Sequence, residues 1–217
     1  MQSLSALGLH WQAADGVARL VALLLLVMSI SSWVLILWRA WMLTRARRDL
    51  QRGLPLFWAA ADITAGRQQL LHLDREGLMV PLVDAALSDS APGSLGAAGR
   101  PHAQLTRRLR DALHLVLAAL NRGQVVLATV GSTAPFIGLF GTVWGIYHAL
   151  QSMAGAGDFS LDKVAGPVGE ALIMTAAGLA VAIPAVLAYN LFGKWVAACE
   201  AELEGFAHDL RELRSAP

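Results

Sequence analysis

Three stretches of this chain contain no Asp, Glu, Lys or Arg: Leu20–Trp38 (19 residues), Gly123–Gly157 (35 residues) and Ala171–Gly193 (23 residues). A hydrocarbon core about 30 Å thick is crossed by ~20 apolar residues in a helix, so each stretch is long enough to span a bilayer. The expected fold class is therefore an all-α membrane protein with three transmembrane helices. Composition points the same way, with 56% hydrophobic and 15% charged residues among 217. A soluble domain runs at roughly 45–50% and about 25%. The same figures argue against a disordered chain and an ordinary soluble enzyme. A net charge of +1 argues against a general nucleic-acid binder. The single cysteine, Cys199, excludes an intramolecular disulfide framework and a cysteine-rich metal site. The first apolar run starts late, without a basic leader or a small-residue cleavage site, so a cleaved signal peptide is not expected.

Arginine placement orients the spans. Arg39, Arg45, Arg47, Arg48 and Arg52 follow the first, and Arg107, Arg108, Arg110 and Arg122 precede the second. Only Arg19 precedes the first span, and only Lys163 lies between the second and third. Positive charge favours the cytoplasmic side. The expected order is a periplasmic segment 1–19, a span at 20–38, a cytoplasmic helical segment 39–122, and a span at 123–150. A periplasmic loop 151–165, a span at 166–193 and a cytoplasmic C-terminal helix 194–217 complete it. Trp38, Trp41 and Trp195 then fall at the inner boundary, and Trp144 with Tyr147 near the outer one, as an aromatic belt does.

The cytoplasmic part reads as helical. Asp62–Leu73 and Leu78–Leu87 carry helical signals, and the Pro- and Gly-rich stretch Ala91–Pro101 reads as a loop. No proline separates Pro101 from Pro135, so a helix from about His102 is expected to run unbroken into the second span. Beyond Lys194, Leu203, Phe206, Leu210 and Leu213 recur at helical spacing, with Glu202, Glu204, Asp209 and Glu212 largely off that stripe. The second and third spans would then belong to antiparallel helices of roughly 50 residues, ~75 Å long. There is no internal repeat, Walker loop, zinc-ligand spacing or nucleophile elbow.

Glu170 is the polar residue that most needs explaining. If the third helix opens at Gly166-Pro167, where proline suits the first turn, Glu170 sits about one turn inside it. It is then either an interfacial acid near the positive end of the helix dipole or an acid facing a cavity or partner, the usual use of an intramembrane carboxylate. Thr142 and Glu170 lie at similar depth, ~8–12 Å from the outer surface. Thr175 is five residues deeper than Glu170 and ~140° round the helix, so the two do not share the centre of one face. A lone transmembrane threonine commonly back-bonds to its own helix. Gly138, Gly141, Gly145 and Gly178, with neighbouring alanines, offer surfaces for close helix packing. Pro135 and Pro184 each free a carbonyl one turn earlier, as a kink or a hinge. His148 reads as an outer-interface residue, Cys199 as a buried small apolar one, and the arginines as topology determinants with anionic lipid contact as a secondary effect.

The run Gly131–Ile146, GSTAPFIGLFGTVWGI, and Gly169–Asn190, GEALIMTAAGLAVAIPAVLAYN, closely resemble the ExbB/TolQ family of inner-membrane proton-channel subunits, with MotA-type stators as more distant relatives. The resemblance covers the second and third spans; the first hundred or so residues carry little family signature. It implies a homo-oligomer, a pentamer, around a pore that holds the single transmembrane helix of an ExbD-like partner. With a TonB-like protein, such a complex couples the proton gradient to outer-membrane uptake of siderophores, haem and cobalamin. The TolQ branch works with TolR and TolA in envelope integrity. The first run reads closer to the ExbB branch, and the lack of a long N-terminal extension keeps the TolQ branch open. The resemblance assigns Glu170, Thr175 and Thr142 to the pore lining, with the protonatable aspartate on the partner. No cofactor, metal or nucleic acid is implied. The rival readings are a non-conducting helical scaffold and an intramembrane hydrolase. The second lacks a nucleophile with a base in reach.

Overall fold

The computed structural model describes residues 15–89, 93, 97, 99–156 and 161–215. Among the described residues it is all-helical: α1 Gly16–Trp58, α2 Ile63–Leu73, α3 Val80–Leu87, α4 Pro101–Leu120, α5 Gln124–Ala156 and α6 Leu161–Ser215. Among the described residues three segments are long and apolar enough to cross a membrane: Gly16–Trp58, Gln124–Met153 and Ala165–Arg214. The chain divides into two compact units, Met1–Ile36 with Val125–Asn190, and Leu37–Gln124 with Leu191–Pro217.

In the first unit, α1, α5 and α6 pack around Val21, Leu25, Ala134 and Ala182, flanked by Met28, Ile137, Met174 and Val181. Its outer faces carry exposed Leu23, Val27, Ile30, Phe136, Phe140, Leu172, Ile183 and Leu187. Apolar faces turned outward suit a chain whose solvent is lipid or neighbouring helices.

The second unit has a core of large side chains: Leu43, Leu50, Leu70, Leu78, Met79, Leu82, Leu120, Leu203 and Leu210 are fully buried. Phe206 meets Phe57 edge-on, with ring centroids 5.0 Å apart. Leu203, Phe206 and Leu210 face inward, whereas Leu213 is exposed. Cys199 is buried. Asp62 caps α2 by accepting from the Ala65 N–H at 2.7 Å. Asp74, at the end of α2, accepts from the N–H groups of Leu78 (2.7 Å), Met79 (2.8 Å) and Val80 (2.8 Å). One buried carboxylate thus ends one helix and starts the next. Arg67 chelates Asp84, one bond being 3.2 Å from Nη2 to Oδ2, and that hydrogen-bonded carboxylate pushes the guanidinium pKa up.

Three expectations need correcting. The helix from Pro101 does not run unbroken into the second span, because it ends at Leu120 and α5 begins at Gln124. Gly123 takes the left-handed conformation at φ +78°, which ends helices irrespective of proline. α6 opens at Leu161, not at Gly166-Pro167, and Pro167 lies inside it. Pro167 lies six residues in, past the first turn, where it costs the helix one ladder hydrogen bond. Glu170 sits nine residues in, beyond the end turn where the dipole acts. α5 continues to Ala156 and α6 opens at Leu161, so the expected loop 151–165 is helical on both flanks; residues 157–160 lie outside the described residues, as do 1–14 and most of 90–98. The first helix also runs on well past Trp38, to Trp58, through a stretch whose last turn holds Pro55.

Candidate functional site

Glycine contacts define how α5 and α6 meet. A Cβ on Gly131 would lie 2.6 Å from Val186 Cγ2, and one on Gly138 would lie 2.6 Å from the Met174 carbonyl oxygen and 3.1 Å from Gly178 Cα. One on Gly141 would lie 3.0 Å from Met174 Cβ, and one on Gly145 2.9 Å from Ala171 Cβ. Partner numbers fall as α5 numbers rise, so the helices are antiparallel. Gly178 is the reciprocal partner, since its added Cβ would meet the Ala134 carbonyl oxygen at 2.6 Å. A side chain at Gly138 or Gly178 would collide with backbone, so only glycine permits this approach. Pro135 and Pro184 lie inside α5 and α6, partly buried. Each removes one N–H from its helix, in a region whose packing is otherwise set by small residues.

That register brings two hydroxyls together. Thr142 follows Gly141, and Thr175 follows Met174. The Thr175 hydroxyl donates to Thr142 Oγ1 at 3.3 Å. The Thr142 hydroxyl donates in turn to the Leu139 carbonyl at 2.7 Å. Back-bonding and an interhelical hydroxyl contact therefore coexist at Thr142. This residue is 4% exposed, whereas Thr175 is half-buried. The oxygen of Thr175 keeps lone pairs for a further donor, such as water, on the side away from Thr142. Glu170 is on the same helix as Thr175, five residues earlier and exposed on the subunit surface. Its position ~140° round from Thr175 directs the two side chains to different sectors of α6.

Two polar features escaped the sequence reading. The Trp144 indole N–H donates to Asp15 Oδ2 at 2.9 Å, and the Gly16 N–H donates to Asp15 Oδ1 at 2.7 Å. The indole bond first, then the backbone bond, holds the Asp15 carboxyl below its ordinary pKa. The local signal was an aspartate immediately before the first apolar helix; nothing local marked Trp144 as its partner. In the second unit, Arg39 is completely buried. Its guanidinium donates to the carbonyls of Leu120 (3.1 Å) and Arg122, and it lies over the Phe192 ring, 5.6 Å from the centroid. These are the free carbonyls where α4 stops, so Arg39 caps that end from another helix. His148 is exposed. No group of three or more His, Cys, Asp or Glu able to hold a metal ion occurs among the described residues.

Residues 75–205 match the model of the MotA/TolQ/ExbB proton channel family. The chain is 41% identical over 205 residues to the biopolymer transport protein ExbB of Xanthomonas campestris, covering 91% of this chain and 81% of that protein. It is 39% identical over 211 residues to ExbB of Neisseria meningitidis, covering 94% of each. It is also 35% identical over 205 residues to the Tol-Pal system protein TolQ of Haemophilus influenzae, covering 92% of this chain and 90% of that protein.

Proposed function

This chain belongs to the MotA/TolQ/ExbB proton channel family, whose members are channel subunits rather than enzymes, and from that premise we propose that it is an ExbB-type subunit. In this reading it sits in the bacterial inner membrane with its N-terminus periplasmic and its C-terminus cytoplasmic. Several copies, most simply five, surround the single transmembrane helix of an ExbD-like partner. The complex, with a TonB-like protein, couples proton flow to active transport across the outer membrane of ligands such as siderophores, haem and cobalamin. The observation that carries the reading is the end-to-end likeness to ExbB proteins, running through both the cytoplasmic helices and the spans.

Glu170, Thr175 and Thr142 supply the chemistry. An ionised carboxylate in a membrane interior is tolerable only where water, a partner or hydroxyls replace its lost hydration. Arranged around a pore, exposed Glu170 and half-buried Thr175 hold water beside the partner helix. Thr142 orients Thr175 by accepting a hydrogen bond from its hydroxyl. The proton carrier is an aspartate on the partner, and this chain supplies the wet, polar path to it. Gly138, Gly141, Gly145 and Gly178 hold α5 and α6 close enough for the hydroxyls to meet.

The test is growth on an iron source that requires an outer-membrane receptor, with protein level and oligomer state measured in parallel. Glu170→Ala and Thr175→Val abolish growth while leaving membrane insertion and assembly intact, because Thr142 retains its bond to Leu139 when Thr175 is lost. Thr142→Val acts more mildly, as one intramembrane hydroxyl bond contributes about 1 kcal/mol or less. Normal growth of both stronger variants, with periplasmic protein also retained, would overturn the pore assignment. Loss of the oligomer would make the residues structural, which is what a non-conducting scaffold requires. The end-to-end likeness to a TolQ protein supports a second reading, with TolR- and TolA-like partners in envelope integrity. In that case the same variants leave iron uptake untouched and make cells leak periplasmic protein.

A further inference from the structure

The five arginines that follow the first apolar run have different surroundings. Arg39 is buried on carbonyls and a phenylalanine ring. Arg45 pairs with Glu76 at 3.4 Å and lies over Trp41, 4.2 Å from the ring centroid. Arg47 lies over Trp195, 5.6 Å from the ring centroid. Arg48 and Arg52 are exposed and make no hydrogen bond, ion pair or ring contact among the described residues. They are one turn apart on α1, so they share a face. Trp41 is seven residues before Arg48, Leu37 a further turn back, and Trp38 lies on the flank of this stripe. At ~100° per residue these positions stay within about 60° of Trp41. Leu37, Trp38 and Trp41 are all exposed. A single stripe of α1 therefore passes from exposed aliphatic, to exposed indole, to unpaired guanidinium.

We infer that this stripe binds the headgroup of an anionic glycerophospholipid in the cytoplasmic leaflet, with acyl chains along Leu37, the glycerol region against Trp38 and Trp41, and the phosphodiester on Arg48 and Arg52. The inference rests on the orientation of α1 proposed above. Setting topology requires only positive charge near the span, and Arg39, Arg45 and Arg47 already supply it. Two further guanidinium groups without a carboxylate partner on this stripe have the charge and fork geometry that phosphate oxygens match. Rise per residue places Arg48 ~10 Å and Arg52 ~16 Å beyond Trp41. Helical side chains lean toward the helix N-terminus, here back toward the apolar segment, so both long side chains reach toward the headgroup layer. Clustered basic residues just beyond a span act on anionic lipid in this way.

The test uses the purified full-length protein in mild detergent. It is mixed with dioleoylphosphatidylglycerol or with zwitterionic dioleoylphosphatidylcholine, and lipid retention is read by native mass spectrometry. The parent retains phosphatidylglycerol in preference to phosphatidylcholine. The double variant Arg48→Gln/Arg52→Gln loses that preference, by about fivefold for each charge removed. Arg107→Gln/Arg110→Gln, which removes the same charge from exposed positions of α4, keeps it. Equal retention by the parent and the first double variant overturns the inference, and so does an equal loss in both double variants, which would reflect net charge alone. The readout involves no proton flow or growth, so failure of the channel assignment leaves it unmoved.

Discussion

In the unit formed by Met1–Ile36 and Val125–Asn190, helices meet through glycine and alanine: Gly138 against Gly178, Gly145 against Ala171, Ala134 and Ala182 in the core. In the unit formed by Leu37–Gln124 and Leu191–Pro217, they meet through Leu43, Leu50, Met79, Phe57 and Phe206. The contrast follows from the solvent. Where the surroundings are as apolar as leucine, burying leucine gains little, and association depends on backbone proximity and a few interhelical hydrogen bonds such as Thr175 to Thr142. Where water is the alternative, each buried large side chain contributes ~1.5–3 kcal/mol. The helix ends must then be satisfied by groups such as Asp62, Asp74 and Arg39.

The largest effect that tests this contrast is truncation in the second unit. Phe206→Ala removes a ring that is 2% exposed and packed on Phe57. It should cost ~3–5 kcal/mol, read by denaturant unfolding of the detergent-solubilised protein. A cost under about 1 kcal/mol would mean that large side chains do not hold this unit together. Next comes Arg39→Gln, which removes the charge and at least one of the carbonyl contacts at the end of α4. A loss of ~1–3 kcal/mol is expected, with faster amide exchange concentrated in residues 117–124. Exchange spread evenly over the protein would argue against a local capping role.

Two glycines sharpen the comparison. Gly138→Ala places a methyl group 2.6 Å from the Met174 carbonyl oxygen, so the helices must part, at ~1–3 kcal/mol. Gly205 in α6 has nothing within 4 Å of an added Cβ. Gly205→Ala should therefore stabilise by ~0.5–1 kcal/mol through helix propensity alone. Thermal unfolding of the two variants side by side should show shifts of opposite sign, and shifts of the same sign would remove the distinction between the two kinds of helix contact.

The smallest effect concerns pH. Asp15 has its carboxyl pKa lowered by the Trp144 and Gly16 bonds. Its contribution is present above the ordinary aspartate value, about 4, and is lost as pH falls through the lower value of the folded state. Trp144 emission should change over that acid interval in the parent and not in Asp15→Ala. An identical titration in both would place the indole bond elsewhere.

The sequence by itself determined that three helices among the described residues are long and apolar enough to cross a membrane, because long charge-free runs leave the backbone no other way to satisfy its hydrogen bonds in lipid. It also determined the start of α2, since Asp62 needs only its own neighbours to act as a cap. The break after Leu120 was missed, because the absence of proline suggested a continuous helix; its local signal is Asn121 and Gly123. Glu170, Thr142 and Thr175 stood out by residue type and depth, and the angle between Glu170 and Thr175 follows from helical geometry alone. Only the tertiary structure decided that Thr175 meets Thr142, since that contact depends on the register of two helices set by backbone approach at Gly138 and Gly178. Likewise, nothing local distinguishes Arg39 from Arg48. One is buried on the carbonyls that end a helix about eighty residues away, while the other is left exposed, because burial is a property of the neighbours that folding supplies.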